Sequence, residues 1–416
     1  MLSYRATKDD EDKWITVHQL GEYLSFFVNN DSYDVISLET NPEKIPSSYL
    51  KSRPLLMYFS SLVYHGTHFL VDRTGKLTGS EKPLQLFKSS QFNYMLFYHV
   101  LLNFTIVVGC VSLLHYLLRS TCNSHQPLIL WGSGLIMMTD SLIRGYLLSA
   151  TWMMFHLLVP ISLVWCFWQL LQKPMIHLRY CMLLGSANGT LALVYPGYLQ
   201  SSVLFCLFLG FLYFSKNGWK WNAKDVWEKI KSGLCYNIFF ALPIVLWGLV
   251  VMMQPKIGKV AEISNFKLFV WIYYDVVDHG VSGLLMNIFS RALDYGSVFI
   301  QETRLLIGGL ALLISGSYFQ KVKIFNQLSE IQKCLLYSIG LCLLVSVTFW
   351  FFMGLYVWNY SRASGMLLLL LFAFLLCRYR ENARSTGQKI YPATVALALL
   401  ASHLLMQFVF SNKVWS

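Results

Sequence analysis

The chain has 416 residues, 56% of them hydrophobic and only 13% charged, with a formal net charge of +12. Soluble domains carry about 25% charged residues, so the composition excludes a water-coated globule and points to lipid as the second solvent. No Lys/Arg stripe interleaved with aromatics marks a nucleic-acid surface, and the positive balance instead fits basic loops facing the cytoplasm and anionic headgroups.

Residues 1–53 are polar and mixed in charge, do not read as a cleavable signal peptide, and can form a short amphipathic helix over Trp14–Val28. Apolar segments follow near 54–71, 93–118, 128–142, 145–171, 178–194, 196–214, 233–253, 304–319, 334–357, 363–377 and 391–411. His65, Gly66, Thr67 and His68 interrupt the first, and 254–303 is mixed and partly amphipathic. Continuous runs without barrel alternation predict helices. A crossing takes about 20 residues, so the shorter segments cross only with tilt or local thinning. The expected fold is all-α: a polytopic transmembrane bundle of about 9 to 11 membrane segments, with interfacial helices on the outer face. Four regions follow: an outward-facing 1–53, an N-terminal bundle at 54–253, an outward interfacial segment at 254–303, and C-terminal helices at 304–416. The nine cysteines lack CxxC or Cys/His ligand spacing, so neither a disulfide framework nor a structural zinc site is indicated.

Loop charge orients these segments. The loops 73–92, 172–179, 215–232, 320–333 and 378–390 are rich in Lys and Arg, whereas the intervening short loops and the tail hold only Arg119, Arg362 and Lys413. The positive-inside rule places the five basic loops in the cytoplasm. Residues 1–53, the loop 119–127, the turn Tyr195-Pro196-Gly197-Tyr198, the segment 254–303 and the loop 358–362 then face outward. Parity between 119 and 172 requires one of 128–142 and 145–171 not to cross, and 128–142 is the expected one, leaving Asp140 and Arg144 outside. An outward N-terminal segment is either translocated whole or preceded by a further helix.

Ionisable groups at a membrane are functional candidates by default. The outward cluster Asn30-Asp31-Ser32-Tyr33-Asp34 precedes Arg53-Pro54 at the entry to the first apolar segment. Asp31 and Asp34, three apart, can share a helical face, cap a helix at Ser32, or stand as solvated loop residues. Asp140 and Arg144, four apart, form either a functional pair or a pair that neutralises itself on insertion. Asp275, Asp278 and His279 fall at helical spacing, suited to a metal or an acceptor and equally to a solvated face. His65 and His68 lack a third ligand, and His99, His115, His156 and His403 read as structural.

This layout resembles the first outer loop of GT-C membrane glycosyltransferases: an Asp in an acidic-aromatic stretch, then Arg-Pro and an apolar helix. Thr139-Asp140 before a long apolar segment is similar to the second acidic residue of many members. The short segments around Tyr195-Pro196-Gly197-Tyr198 look like that family's helical hairpin. The resemblance spans roughly residues 30–215. It implies transfer of a sugar from a polyprenyl-phosphate donor to a glycan, lipid or protein acceptor at the outer face, in a multi-pass protein of the bacterial inner membrane. Asp34 or Asp31 would then be the catalytic base and Arg53 would attract the lipid phosphate, with Asp140 and Arg144 at the substrate and a divalent ion as an aid. Two other classes remain open, a multi-pass transporter or flippase of lipid-linked or small polar substrates and a non-catalytic assembly subunit.

Overall fold

Long apolar runs satisfy their own N–H and C=O groups most directly by coiling into helices. The computed structural model describes residues 2–5, 16–20, 24–28 and most of 54–385, and helices dominate it. Helices α1 (Pro54–Thr78), α2 (Lys82–Ser89), α3 (Gln91–Thr121), α4 (Pro127–Met138), α5 (Phe155–Leu171) and α6 (Leu178–Val194) come first. A 3-10 turn at Pro196–Leu199 leads into α7 (Gln200–Asn217), then α8 (Ala223–Met253), α9 (Ser264–Phe319), α10 (Glu330–Met353) and α11 (Trp358–Ser385). Among the described residues, four helices are long and apolar enough to cross a membrane, over Tyr94–Thr121, Pro196–Phe214, Ala223–Val250 and Glu330–Phe349. Phe155–Leu171 and Leu306–Phe319 are shorter apolar stretches. Among the described residues the total is smaller than the apolar runs suggest, since α4 has 12 residues, α5 and α6 have 17 each, and the run 391–411 lies outside them. At about 1.5 Å per residue, such helices rise only roughly 18 to 26 Å.

Two segments depart from the all-α expectation or its boundaries. Within Trp14–Val28 the described residues form strands, not a helix: β2 (Thr16–Leu20) and β3 (Leu24–Val28) pair with each other and, through β2, with β1 (Leu2–Arg5) as an antiparallel meander with Leu2 opposite Leu20 and Thr16 opposite Val28. The β-branched and aromatic residues of Thr16-Val17 and Phe26-Phe27-Val28 suit a pleated ribbon. Farther on, α9 passes through the expected boundary at 303 and instead breaks at Gly280, whose φ of 68° and ψ of −177° suit glycine. Asn287 Nδ2 donates to Asp275 Oδ2 at 3.0 Å across that break, so the arms before and after it fold together. A Cβ on Gly283 would lie 2.2 Å from His279 Cβ, which fixes glycine at the crossing.

The core centres on α11, where Met366 to Phe374 and Cys377, Tyr379 and Ala383 are buried almost without interruption against α5, α9, α10 and α4. Its lower end carries an ion pair, Arg378 Nη1 to Glu381 Oε2 at 3.0 Å, with side chains only 7% and 11% exposed.

Cross-helix contacts define two ends of the bundle and correct the loop assignment. Helices α3 and α5 run parallel, since Asn103 Nδ2 donates to Leu147 O at 3.2 Å and the Tyr116 and Trp168 rings meet at 6.1 Å. Thr121 therefore lies at the same end as Leu171. Gln332 Nε2 donates to Thr121 O at 2.8 Å, Trp168 Nε1 to Ile331 O at 3.2 Å, and the Cys122 and Cys377 side chains meet. The start of α10 and the end of α11 thus join that end. The α7–α8 connection joins it too, because Phe211 packs on Tyr337 at 4.5 Å and Asn222 N donates to Tyr213 Oη. This basic end carries Arg119, Arg179, Lys224, Lys231, Lys333 and Arg378.

The basic loop 73–92 lies at the opposite end. Phe87 and Tyr94 pack at 5.3 Å, and Tyr94 Oη pairs with Thr67 and approaches Val63 O, so α1 and α2 cover the start of α3. Loop charge therefore misassigns 73–92 and 119–127. With Thr121 and Leu171 at one end, α4 and α5 can lead away and back, and parity no longer requires 128–142 to stop short.

Helices α6 and α8 approach each other closely. A Cβ on Gly185 would stand 2.4 Å from Tyr236 O, and one on Gly189 would stand 2.2 Å from Phe240 O. Neither carbonyl can yield without separating the helices. Gly189→Ala should therefore destabilise the purified protein by about 1–3 kcal/mol or more, seen as a lower thermal midpoint in detergent. Gly248→Ala, with open space around its Cβ position, should be neutral or raise it.

Candidate functional site

The close α6–α8 contact brings polar side chains into the interior between α5 and α8. Asn188 Nδ2 donates to Tyr236 Oη at 2.9 Å, and Tyr236 Oη donates to Ser201 Oγ at 3.1 Å. Cys166 of α5 lies within hydrogen-bonding reach of Asn188. The Tyr236 ring stacks on Phe205 at 4.0 Å, and Tyr236 and Ser201 are fully buried. A second pair, Ser202 with Asn237, links α7 to α8 one residue on.

The Tyr195-Pro196-Gly197-Tyr198 turn continues this polar column toward the opposite end. Tyr195 Oη is 2.8 Å from His156 Nε2, and its ring stacks on Phe155 at 5.3 Å. Tyr198 Oη and Ser162 Oγ are 3.1 Å apart. Proline supplies the fixed φ that starts the 3-10 turn. Gly197 admits the folded-back Tyr195 ring, since a Cβ would lie 2.8 Å from Tyr195 Cε1. His156 and Tyr195 are buried, and a histidine bonded to a phenol can hold or pass a proton between the two groups.

The residues singled out from sequence fall differently. Asp31, Asp34, Arg53, Asp140 and Arg144 all lie outside the described residues, as does His403. Leu56, three positions after Arg53, is buried in the main core. Asp275 is taken by Asn287, and Asp278 and His279 are exposed beside the Gly280 break. No group of three or more His, Cys, Asp or Glu able to hold a metal occurs among the described residues. His65 and His68 pack on Tyr64, and His68 also on Phe87. His99 meets Ser60, and His115 reaches Leu130 O at 2.8 Å.

The polar column escapes a reading based on charge, because every member is neutral or a histidine. Two signals were available, the Tyr195-Pro196-Gly197-Tyr198 turn and a glycine spacing. Gly185-Ser186-Ala187-Asn188-Gly189 places two glycines four apart in an apolar helix, a pattern for close helix approach. No family model, curated protein or solved structure matches the chain.

Removing the Tyr236 hydroxyl leaves Asn188 and Ser201 without their shared partner. Tyr236→Phe should cost about 1–2 kcal/mol. Asn188→Leu combined with Tyr236→Phe should cost less than the sum of the single changes, a non-additivity that a double-mutant denaturation cycle measures directly.

Proposed function

We propose that the protein is an integral membrane enzyme of the GT-C glycosyltransferase kind, acting on a polyprenyl-phosphate-linked sugar at the end opposite the one that carries Arg119, Lys224 and Lys333. The observation that carries the reading is the polarity of the bundle. Helix α8 leaves Ile238, Leu242, Val245, Leu246 and Leu249 exposed along its length, far more apolar surface than water-facing helices present. Among the described residues, cationic side chains gather where α3 and α11 end and α6, α8 and α10 begin. The positive-inside rule makes that end cytoplasmic. The opposite end then faces outward, with the Tyr195–Tyr198 turn, the His156–Tyr195 pair and the Gly280 hairpin.

In this reading Asp34 or Asp31 removes the proton from the acceptor hydroxyl, and Arg53 draws in the donor phosphate as the leaving group develops charge. Asp140 and Arg144 contribute to the substrate side. The family resemblance supports these roles.

A second reading has its own support. The buried Asn188–Tyr236–Ser201 chain sits within the apolar interior, where transporters place substrate groups. The two readings separate by mutation. Turnover is to be measured in membranes offered a panel of polyprenyl-phosphate sugars, with protein levels matched. Asp34→Asn or Asp31→Asn should lower it by about 100-fold or more, while Tyr236→Phe leaves most of it. Wild-type turnover in both aspartate variants would reject Asp31 and Asp34 as the base, absence of turnover in wild type itself would reject the enzyme assignment, and loss of substrate uptake in Tyr236→Phe would favour transport.

A further inference from the structure

The α1–α2 elbow is the one described basic surface that stands away from the basic end. Arg73 and Lys76 near the end of α1 and Lys82 and Lys88 of α2 are all exposed. Leu77 and Leu86 beside them are 82% and 70% exposed. The elbow is built, not loose. Ser80 N donates to Gly75 O at 3.0 Å, and Gly75 is required there because a Cβ would lie 2.8 Å from Ser80 O. Phe87 is buried and pins α2 through its contacts with Tyr64, His68 and Tyr94. With Phe87 inward, Lys82 and Leu86, one turn apart, share the outward side of α2. Two carboxylates accompany these cations: Glu81 is exposed beside Lys82, and Asp72 is held below the usual carboxylate range by a 2.6 Å bond from Lys76, with His68 and Lys88 also acting on it.

Cations at the non-cytoplasmic end run against the positive-inside rule, so their presence calls for a ligand. Exposed leucines interleaved with lysines on a short, anchored helix match a surface that sinks its apolar side chains among acyl chains and sets its charges at headgroup level. We propose that the α1–α2 elbow is a membrane-surface site that binds the phosphates of anionic lipid headgroups through Lys82 and Lys88, with Leu86 inserted between the chains. The site rests on the membrane-embedded reading of the bundle and is independent of the catalytic assignment.

The test uses the full chain purified in detergent, with short-chain phosphatidylglycerol or phosphatidylcholine added and bound lipid counted by native mass spectrometry. Wild type should retain phosphatidylglycerol in preference to phosphatidylcholine. Lys82→Gln and Lys88→Gln together should weaken that retention by roughly fivefold per lysine, whereas Lys82→Arg with Lys88→Arg should keep it. Lys224→Gln with Lys231→Gln, at the basic end, controls for lipid bound there and should leave the elbow's share in place. Equal retention by the glutamine variant and wild type, or equal binding of the two lipids, overturns the site. Displacement of the lipid by millimolar inorganic phosphate would also overturn it, because the site would then recognise phosphate alone. Retention of neither lipid by wild type would instead count against the membrane-embedded reading.

Discussion

Gly185 and Gly189 set their helix so close to α8 that the Tyr236 and Phe240 carbonyls occupy the space any side chain would need. Much of the interior depends on that approach. It brings Asn188 onto Tyr236, and Tyr236 in turn reaches Ser201 on α7. Helices α6 and α8 run side by side in the same direction, so the chain must turn sharply at Tyr195–Leu199 to return through α7. In lipid there is no hydrophobic drive between helices, and small residues that permit backbone contact, with a few buried hydrogen bonds, carry association instead. The α6–α8 pair has both.

A second fastening lies at the basic end. Helix α11 brings the buried Arg378–Glu381 pair there, while Gln332 and Trp168 side chains cap backbone carbonyls of neighbouring helices. A buried ion pair contributes little net stability, but losing one partner leaves an uncompensated charge. The pair lies within α11, three residues apart, and neutralises the end of that helix, while the bonds from Gln332 to Thr121 O and from Trp168 to Ile331 O are what hold the neighbouring connections together. The two fastenings divide the labour, one fixing helix spacing and the other fixing which connections meet.

Sequence made the helices legible where apolar runs were long, as in α3, α8 and α10, because hydrocarbon leaves few other ways to satisfy a backbone. It misplaced connections for a related reason. Loop charge averages over residues whose end is set by contacts such as Gln332 to Thr121, more than 200 positions apart, and no local pattern encodes those. The elbow at 73–92 misled the assignment because its lysines obey a local, amphipathic logic. The break at Gly280 depends on a glycine within a mixed-composition segment, and the short strands near the N-terminus lie in another such segment. Of the candidate site, the acidic and basic residues chosen from sequence lie outside the described residues. The neutral column around Tyr236 and His156 was invisible to a search for charge, and only the Gly185–Gly189 spacing and the Tyr195-Pro196-Gly197-Tyr198 turn pointed to it.

The sidedness of the bundle is the claim on which the outer-face chemistry and the lipid-binding elbow both stand. We would label intact cells with a membrane-impermeant maleimide, in a background freed of native cysteines and carrying Thr78→Cys, Glu228→Cys or the restored Cys122, one at a time. The account predicts that Thr78→Cys labels from outside, while Glu228→Cys and Cys122 label only after the membrane is opened. Labelling of Thr78→Cys and Glu228→Cys from the same side would contradict it.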